Sequence, residues 1–210
     1  PVGTRKFHHD EDEEVLTTPP YPCLRPNYSA HLRWYLANAL YRQALQSGID
    51  KRKVIFTSIH CDALFDGTLR GTMIYIPGAQ YRNENEQPKP ESFYAGFAEA
   101  RDHLQVRSTP AQRREDEALS RNFSEVLLEE LGKKRVRRHK ESAPIRNVIR
   151  QSNGEYYVPA VLRNTEIPTK ILLEAANMTN RVDGSRLADP DWRQLFAEAY
   201  VNALKSHFGS

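Results

Sequence analysis

The sequence predicts an α/β fold in which helices cover both faces of a mainly parallel sheet. Short apolar runs rich in Val and Ile alternate along the chain with longer segments of helical periodicity, the pattern of strands alternating with helices. The chain has 210 residues, of which 39% are hydrophobic, so it is long enough to bury a core without disulfide bonds. Its two cysteines, Cys23 and Cys61, cannot form a disulfide framework.

Composition shifts divide the chain into an irregular N-terminal arm, residues 1–28, and one domain, residues 29–210. The arm holds an unbroken acidic run at 10–14 and a Thr-Thr-Pro-Pro-Tyr-Pro stretch at 17–22. Proline donates no backbone hydrogen bond, so this stretch disfavours both helices and strand ladders.

The first helix of the domain is predicted to begin at Ser29, a good N-cap residue, and to end at Ser47, before Gly48. Its buried face is predicted from apolar residues spaced four apart. These are Leu32, Leu36 and Leu40.

Two strands are predicted next. Val54–Ile59 is a continuous β-branched apolar run, which is typical of a strand buried on both faces of a parallel sheet. His60 stands at its carboxyl end. Gly71–Ile76 is the second strand, and Pro77-Gly78 closes it.

A polar insertion is predicted at 79–116, because this stretch is rich in charged residues, Gln, Asn and Pro. Long polar excursions in a compact domain are usually lids or disordered segments. We expect residues 80–90 to be mobile and a helix over 92–104 to dock back through Phe93 and Phe97.

The second half of the chain holds a helix over 117–131, stopped by Gly132, and two short apolar strands, Val158–Leu162 and Lys170–Leu173. The last helix begins at Asp189-Pro190, a cap residue followed by a proline suited to the first helical position, and ends near Phe208.

Two polar residues, His60 and Glu174, directly follow predicted buried strands. Ligand sites in α/β sheets collect at the carboxyl ends of strands. A metal-bound water needs an imidazole-type ligand and a nearby carboxylate base, which this pair could supply. Each residue alone is more often an ordinary hydrogen-bonded strand-end residue than a catalyst.

Five short segments carry a family resemblance. They are Arg33–Asn38, Thr57–Ala63, Arg70–Tyr75, Val161–Arg163 and Pro168–Glu174. In chain order, these segments resemble the signature of the zinc-dependent N-acetylmuramoyl-L-alanine amidases, which are bacterial cell-wall hydrolases. The segments read Arg-Trp-Tyr-Leu-Ala-Asn, Thr-Ser-Ile-His-Cys-Asp-Ala, Arg-Gly-Thr-Met-Ile-Tyr, Val-Leu-Arg and Pro-Thr-Lys-Ile-Leu-Leu-Glu.

The resemblance implies a function and a site. His60 would be the last zinc-binding histidine of the family, and Glu174 the glutamate that acts as general base and acid. The cofactor would be Zn²⁺, and the bond cut would be the amide between N-acetylmuramic acid and L-alanine. The partners would be the stem peptide and glycan of peptidoglycan, and the location periplasmic or extracellular. In such an enzyme we expect the 79–116 insertion to flank the cleft and limit which glycan strands enter.

The sequence departs from the family at its start. The family's other two zinc ligands, a histidine in a Gly-His-Gly-Gly turn and a glutamate, precede the helix that holds Arg33. Only 32 residues precede Arg33 here, and none of them form that turn. His8 and His9 lack both the glycine turn and an apolar strand. We therefore expect a domain truncated on its N-terminal side, without the family's first strand and helix. The alternative is a non-catalytic peptidoglycan-binding relative.

The mild net charge argues against a nucleic-acid-binding protein, and the lack of a long apolar run argues against a membrane-spanning one. The formal net charge is +3, too mild to predict a nucleic-acid partner. The basic stretch 133–140 has three possible roles: a solvated helix exit, a contact with an anionic wall polymer, or a nucleic-acid contact. No apolar run is long enough to span a membrane, and no signal peptide follows Pro1. Nothing in the sequence indicates an oligomeric state.

Overall fold

A computed structural model describes residues 14–23, 25–82, 88–139, 143–150 and 153–209. The elements within these ranges are β1 Glu14–Val15, β2 Tyr21–Pro22, α1 Pro26–Gln46, β3 Ile55–Asp62, β4 Met73–Tyr75, α2 Glu91–Tyr94, α3 Pro110–Lys133, β5 Ile145–Arg146, β6 Ile149–Arg150, β7 Tyr156–Tyr157, α4 Ala160–Arg163, β8 Thr169–Asn177, α5 Arg181–Ala188 and α6 Pro190–Phe208.

The central sheet has the strand order β3-β8-β4-β5. β8 pairs in parallel with β3 and antiparallel with β4, and β4 pairs in parallel with β5. Two small hairpins, β1-β2 and β6-β7, lie outside this sheet. The predicted α/β class with a mainly parallel sheet is confirmed.

Helices cover both faces of the sheet, as predicted. On one face, α3 and α6 pack over alternate residues of β8. This main core includes Ile74, Ile76, Phe123, Leu127, Leu131, Ile171, Leu173, Phe196 and Ala199. On the other face, α4 packs over the intervening residues, and its core comprises Met73, Tyr75, Val158, Val161, Leu162 and Leu172. α1 packs against α4.

The first helix differs from its prediction at its start and in its buried face. It begins at Pro26, whose ring suits the first helical position, so Ser29 lies inside the helix. Leu40 is 56% exposed, whereas Tyr35 and Asn38 are buried beside Leu32. Asn38 faces inward because its amide donates to the Asn164 carbonyl at 2.9 Å and accepts from the Glu166 amide at 2.8 Å. The helix end before Gly48 is as predicted.

The prediction that Val54–Ile59 is buried on both faces is wrong. The strand forms, as β3, but it is one of the two edge strands of the sheet that the structure describes. It runs on to Asp62, and Ile59 is 64% exposed. A β-branched apolar run predicts extended backbone, but it cannot by itself distinguish a central strand from an edge strand.

The insertion is shorter than predicted, because α3 begins at Pro110 rather than at Glu117. Thr109 and Gln112 form a reciprocal capping box there. The expected helix over 92–104 is reduced to α2 and a series of turns, but it does dock. Phe93, Tyr94 and Phe97 pack against α1 in a cluster with Tyr28, Leu32, Trp34 and Tyr35. Part of the expected mobile stretch, residues 83–87, lies outside the described residues.

The predicted strand Val158–Leu162 is also wrong, since this segment forms a turn of helix, α4. Pro159 has no N–H for a strand ladder, and its carbonyl instead accepts from the amides of Leu162 and Arg163. The predicted strand at 170–173 and the last helix are confirmed as β8 and α6, with Asp189 capping the latter. α5 was not predicted.

One end of β8 is held by a buried ionic cluster. Lys170 is fully buried, and its Nζ donates to Asp116 Oδ2 at 2.8 Å and to the Thr165 carbonyl at 2.6 Å. Arg82 also donates to Asp116 Oδ2, at 2.7 Å. Burial, with the nearby Arg82 charge, lowers the pKa of Lys170 to about 8. One carboxylate therefore balances two buried cations, and its removal would leave both unpaired.

We predict that Asp116→Ala lowers the free energy of unfolding by about 3 kcal/mol or more, the cost of leaving buried charge uncompensated. Glu115→Ala is the matched control, because Glu115 makes only exposed pairs with Lys51 and Arg52. It should cost less than about 1 kcal/mol. Urea unfolding measures both values, and equal losses would contradict the assignment.

Candidate active site

The two predicted site residues lie side by side at the carboxyl end of the parallel pair. His60 of β3 and Glu174 of β8 are direct partners in the strand register. Residues in register share a face, and Glu174 shares its face with Leu172, on the side of the sheet that α4 covers. From this pair to the next, Asp62 with Asn177, two residues pass in β3 and three in β8. Such bulges commonly re-aim side chains beside active sites.

The Glu174 carboxyl group is poorly solvated. Its Oε2 atom is buried and has no hydrogen-bond partner among the described residues. Burial, and then the charge of Asp62, raise the pKa of Glu174 to about 7. A carboxyl group with this pKa can both accept and donate a proton near neutral pH, which is the property a general base and acid needs.

His60 lies in a different electrostatic setting. Its Nε2 atom is 2.8 Å from the Ser58 hydroxyl, two residues earlier on the same face of β3. Burial, and then the charge of Arg33 on α1, lower the pKa of His60. The imidazole is therefore neutral near pH 7, the form that binds metals, although ligation through Nε2 would require the Ser58 hydroxyl to turn away.

Further charged groups surround the pair. Asp62 has a pKa raised by burial, an effect opposed by a hydrogen bond from the Ala63 amide and by the charges of His139 and Arg146. Arg146 of β5 is in register with Tyr75 of β4, and its charge opposes the rise in the Tyr75 pKa that burial causes. Sequence reasoning missed Arg146, because only the strand register brings it to this face.

The rim of the site is fixed by the segment that follows β8. Asn177 bonds the loop after β3 twice: its Oδ1 accepts from the Leu64 amide, and its Nδ2 donates to the Leu69 carbonyl. Asp183, which is 1% exposed, accepts from the amides of Gly71 and Asn177. The ends of β3 and β8 are thus tied together around the candidate site.

The described residues do not by themselves form a zinc site. A catalytic zinc needs three protein ligands. No group of three His, Cys, Asp or Glu side chains within the described ranges is placed to hold a metal ion. Asp62 and Glu174 are the carboxylates nearest His60 in the strand register, and they do not complete such a group. His60 is therefore a single candidate ligand among the described residues.

A family model described as N-acetylmuramoyl-L-alanine amidase matches residues 36–206, most of the chain. The chain belongs to the N-acetylmuramoyl-L-alanine amidase family. The matched residues include His60 and Glu174. No curated protein matches the chain significantly.

Solved structures of the family share its fold. An N-acetylmuramyl-L-alanine amidase from Mycobacterium smegmatis is 19% identical with a TM-score of 0.50, over 80% of this chain and 60% of the relative. An N-acetylmuramoyl-L-alanine amidase from Clostridium difficile 630 is 17% identical with a TM-score of 0.50, over 87% of this chain and 66% of the relative. The chain thus spans less than two thirds of the length of these relatives.

We predict that Glu174 makes the stability of the protein fall as the pH rises. Its folded pKa, about 7, lies above its ordinary value of 4.5, so the folded state binds this proton more tightly than the unfolded state does. The stabilisation is complete below pH 4.5 and is lost as the pH rises through 7.

The test compares urea unfolding of the wild type and Glu174→Gln at about pH 5 and about pH 8. The wild type should lose stability relative to the variant at the higher pH. Glu125→Gln, an exposed glutamate of α3, is the control and should track the wild type. A pH dependence identical in all three proteins would show that Glu174 ionises as freely in the folded state as in the unfolded state.

Proposed function

We propose that the protein hydrolyses the amide between N-acetylmuramic acid and L-alanine in peptidoglycan. Family membership supports the reaction class. The observation that carries the proposal is the poorly solvated Glu174 carboxyl group beside His60, at the end of two parallel strands. Because the substrate is a cell-wall polymer, we propose a periplasmic or extracellular location. No helix in the described ranges is long and apolar enough to cross a membrane.

Glu174 would carry the proton transfers. A carboxyl group with a pKa of about 7 is ionised in a substantial fraction of molecules near neutral pH. As the carboxylate it would take a proton from the attacking water, and as the acid it would give that proton to the departing L-alanine nitrogen. The charges of Arg33 and Arg146, which act on the neighbouring His60 and Asp62, would attract the carboxylates of the stem peptide.

His60 would serve as one ligand of a zinc ion. Zinc, when bound, lowers the pKa of a coordinated water and polarises the scissile carbonyl. The other ligands would have to come from outside the described residues, because those residues provide no group of three. The absence of such a group also favours the second candidate function, a peptidoglycan-binding relative without catalysis. The two functions differ in whether turnover depends on Glu174.

We predict that Glu174→Ala in the full-length protein lowers turnover at least ~10²-fold, the usual loss when general acid–base help is removed. The assay follows the appearance of free L-alanine amino groups in purified peptidoglycan. Glu125→Ala, in an exposed position on α3, is the control and should retain full activity. Retained activity in Glu174→Ala would remove Glu174 from the mechanism, and an inactive wild type that still binds peptidoglycan would favour the binding function.

Zinc content gives a separate prediction. Where the protein holds zinc, His60→Ala should weaken that binding by orders of magnitude and Glu174→Ala should leave it intact. Elemental analysis after dialysis measures all of these proteins. Unchanged zinc content in His60→Ala would exclude His60 as a ligand.

A further inference from the structure

The loop after β3, residues 63–71, is fixed at many points. Side chains at the end of β8 and in the turn after it bond its backbone along most of its length. Thr179 Oγ1 donates to the Leu64 carbonyl, Asn180 Nδ2 to the Gly67 carbonyl and Asn177 Nδ2 to the Leu69 carbonyl, at 2.7–2.8 Å. These bonds hold the loop backbone without any contribution from the Phe65 side chain.

Phe65, at the tip of this loop, is fully exposed. Leaving a Phe side chain in water forgoes the favourable free energy of burying it. Two more apolar side chains are exposed at the same end of the molecule, Met178 at 52% and Val182 at 43%. We call Phe65, Met178 and Val182 the apolar lip. A group of exposed apolar side chains marks a candidate binding surface, whereas a single one does not.

The apolar lip adjoins the candidate active site. Phe65 comes three residues after Asp62, so their Cα atoms are at most about 11 Å apart. Met178 follows β8 directly, and its amide donates to the Asp62 carbonyl at 2.8 Å. The lip therefore lies at the ends of β3 and β8, where His60 and Glu174 stand.

The proposed substrate determines what would reach this position. The scissile amide joins a sugar on one side to a peptide on the other, so a bond held at Glu174 brings a pyranose ring to one side of that residue. The C–H faces of a pyranose pack against an aromatic ring, whose face carries partial negative charge. The charge of Arg33 acts on His60 and that of Arg146 acts on Asp62, and both would attract the peptide carboxylates.

We propose that Phe65 is the stacking platform for an N-acetylated pyranose of the glycan strand, with Met178 and Val182 contacting its acetyl or lactyl methyl groups. This inference rests on the proposed function and names the part of the substrate that Phe65 would contact. It assigns a specificity role to a loop residue outside the proton-transfer machinery.

The test measures binding to the full-length protein by NMR titration with two probes: the N-acetylglucosamine–N-acetylmuramic acid disaccharide without peptide, and the stem peptide without sugar. Phe65→Ala and Phe65→Leu should each weaken disaccharide binding about tenfold, a loss of ~1.4 kcal/mol. Peptide binding should be unchanged. Phe65→Trp should retain disaccharide binding, because it keeps an aromatic face.

The matched control is Phe208→Ala, a partly exposed phenylalanine at the end of α6. It should leave both affinities unchanged. Because Phe65 is fully exposed, its variants should keep the wild-type melting temperature. The Leu variant separates aromatic stacking from general apolar contact, since it preserves apolar area but has no ring.

Each other outcome overturns a defined part of the account. If the wild type binds the peptide but Phe65→Ala binds the disaccharide as tightly as the wild type, the stacking role is wrong and the proposed function stands. If the wild type binds neither probe, both are wrong. If Phe65→Ala instead abolishes a concentration-dependent self-association seen by sedimentation, the lip is a contact between copies of this chain, and the glycan assignment is wrong.

Discussion

The parallel register between β3 and β8 is the constraint on which the candidate site depends. It sets His60 opposite Glu174 and places both on the face away from the main core. A slip of one residue would turn Glu174 toward α3 and α6, into a core of Ile, Leu and Phe side chains. The bulge just beyond this pair, together with the bonds from Asn177 and Asp183, then fixes the loops around it.

The two ends of β8 show how one strand can serve stability and chemistry. At its start, Lys170 is fully buried, but Asp116 and the Thr165 carbonyl satisfy it. At its other end, the buried Oε2 atom of Glu174 has no partner among the described residues. A buried polar atom without a partner costs stability, and such costs concentrate at functional sites. The unpartnered carboxyl atom supports the chemical role proposed for Glu174, while the bonds of Lys170 hold the start of the strand in place.

Much of this fold could be predicted from the sequence, because caps and apolar runs specify helix starts and strands through neighbouring residues alone. The cap at Asp189-Pro190 fixes the start of α6, and the apolar run at 170–173 forms the central strand. One error has a local cause: Pro159 turned an apolar run into a helical turn. The others arose where tertiary context decided, as where the edge position of β3 left Ile59 exposed. Asn38, buried through two hydrogen bonds, displaced Leu40 from the inner face of α1.

The site was predictable only in part. A strand-end position and a family resemblance single out His60 and Glu174, and their roles remain predictions. Arg146 and the apolar lip depend on strand register and loop anchoring, which no local pattern encodes. The hydrogen bonds that Thr179 and Asn180 make to the loop backbone on either side of Phe65 could not be predicted from the sequence.

Glu174 is a poorly solvated carboxyl group, and burial raises its pKa to about 7. The most direct measurement is an NMR titration of the protein labelled with ¹³C at glutamate side-chain carboxyl groups, with Glu174→Gln used to assign the resonance. We expect the chemical shift of this one carboxyl signal to titrate with a midpoint at about pH 7. A midpoint near 4.5, the ordinary value for glutamate, would contradict it.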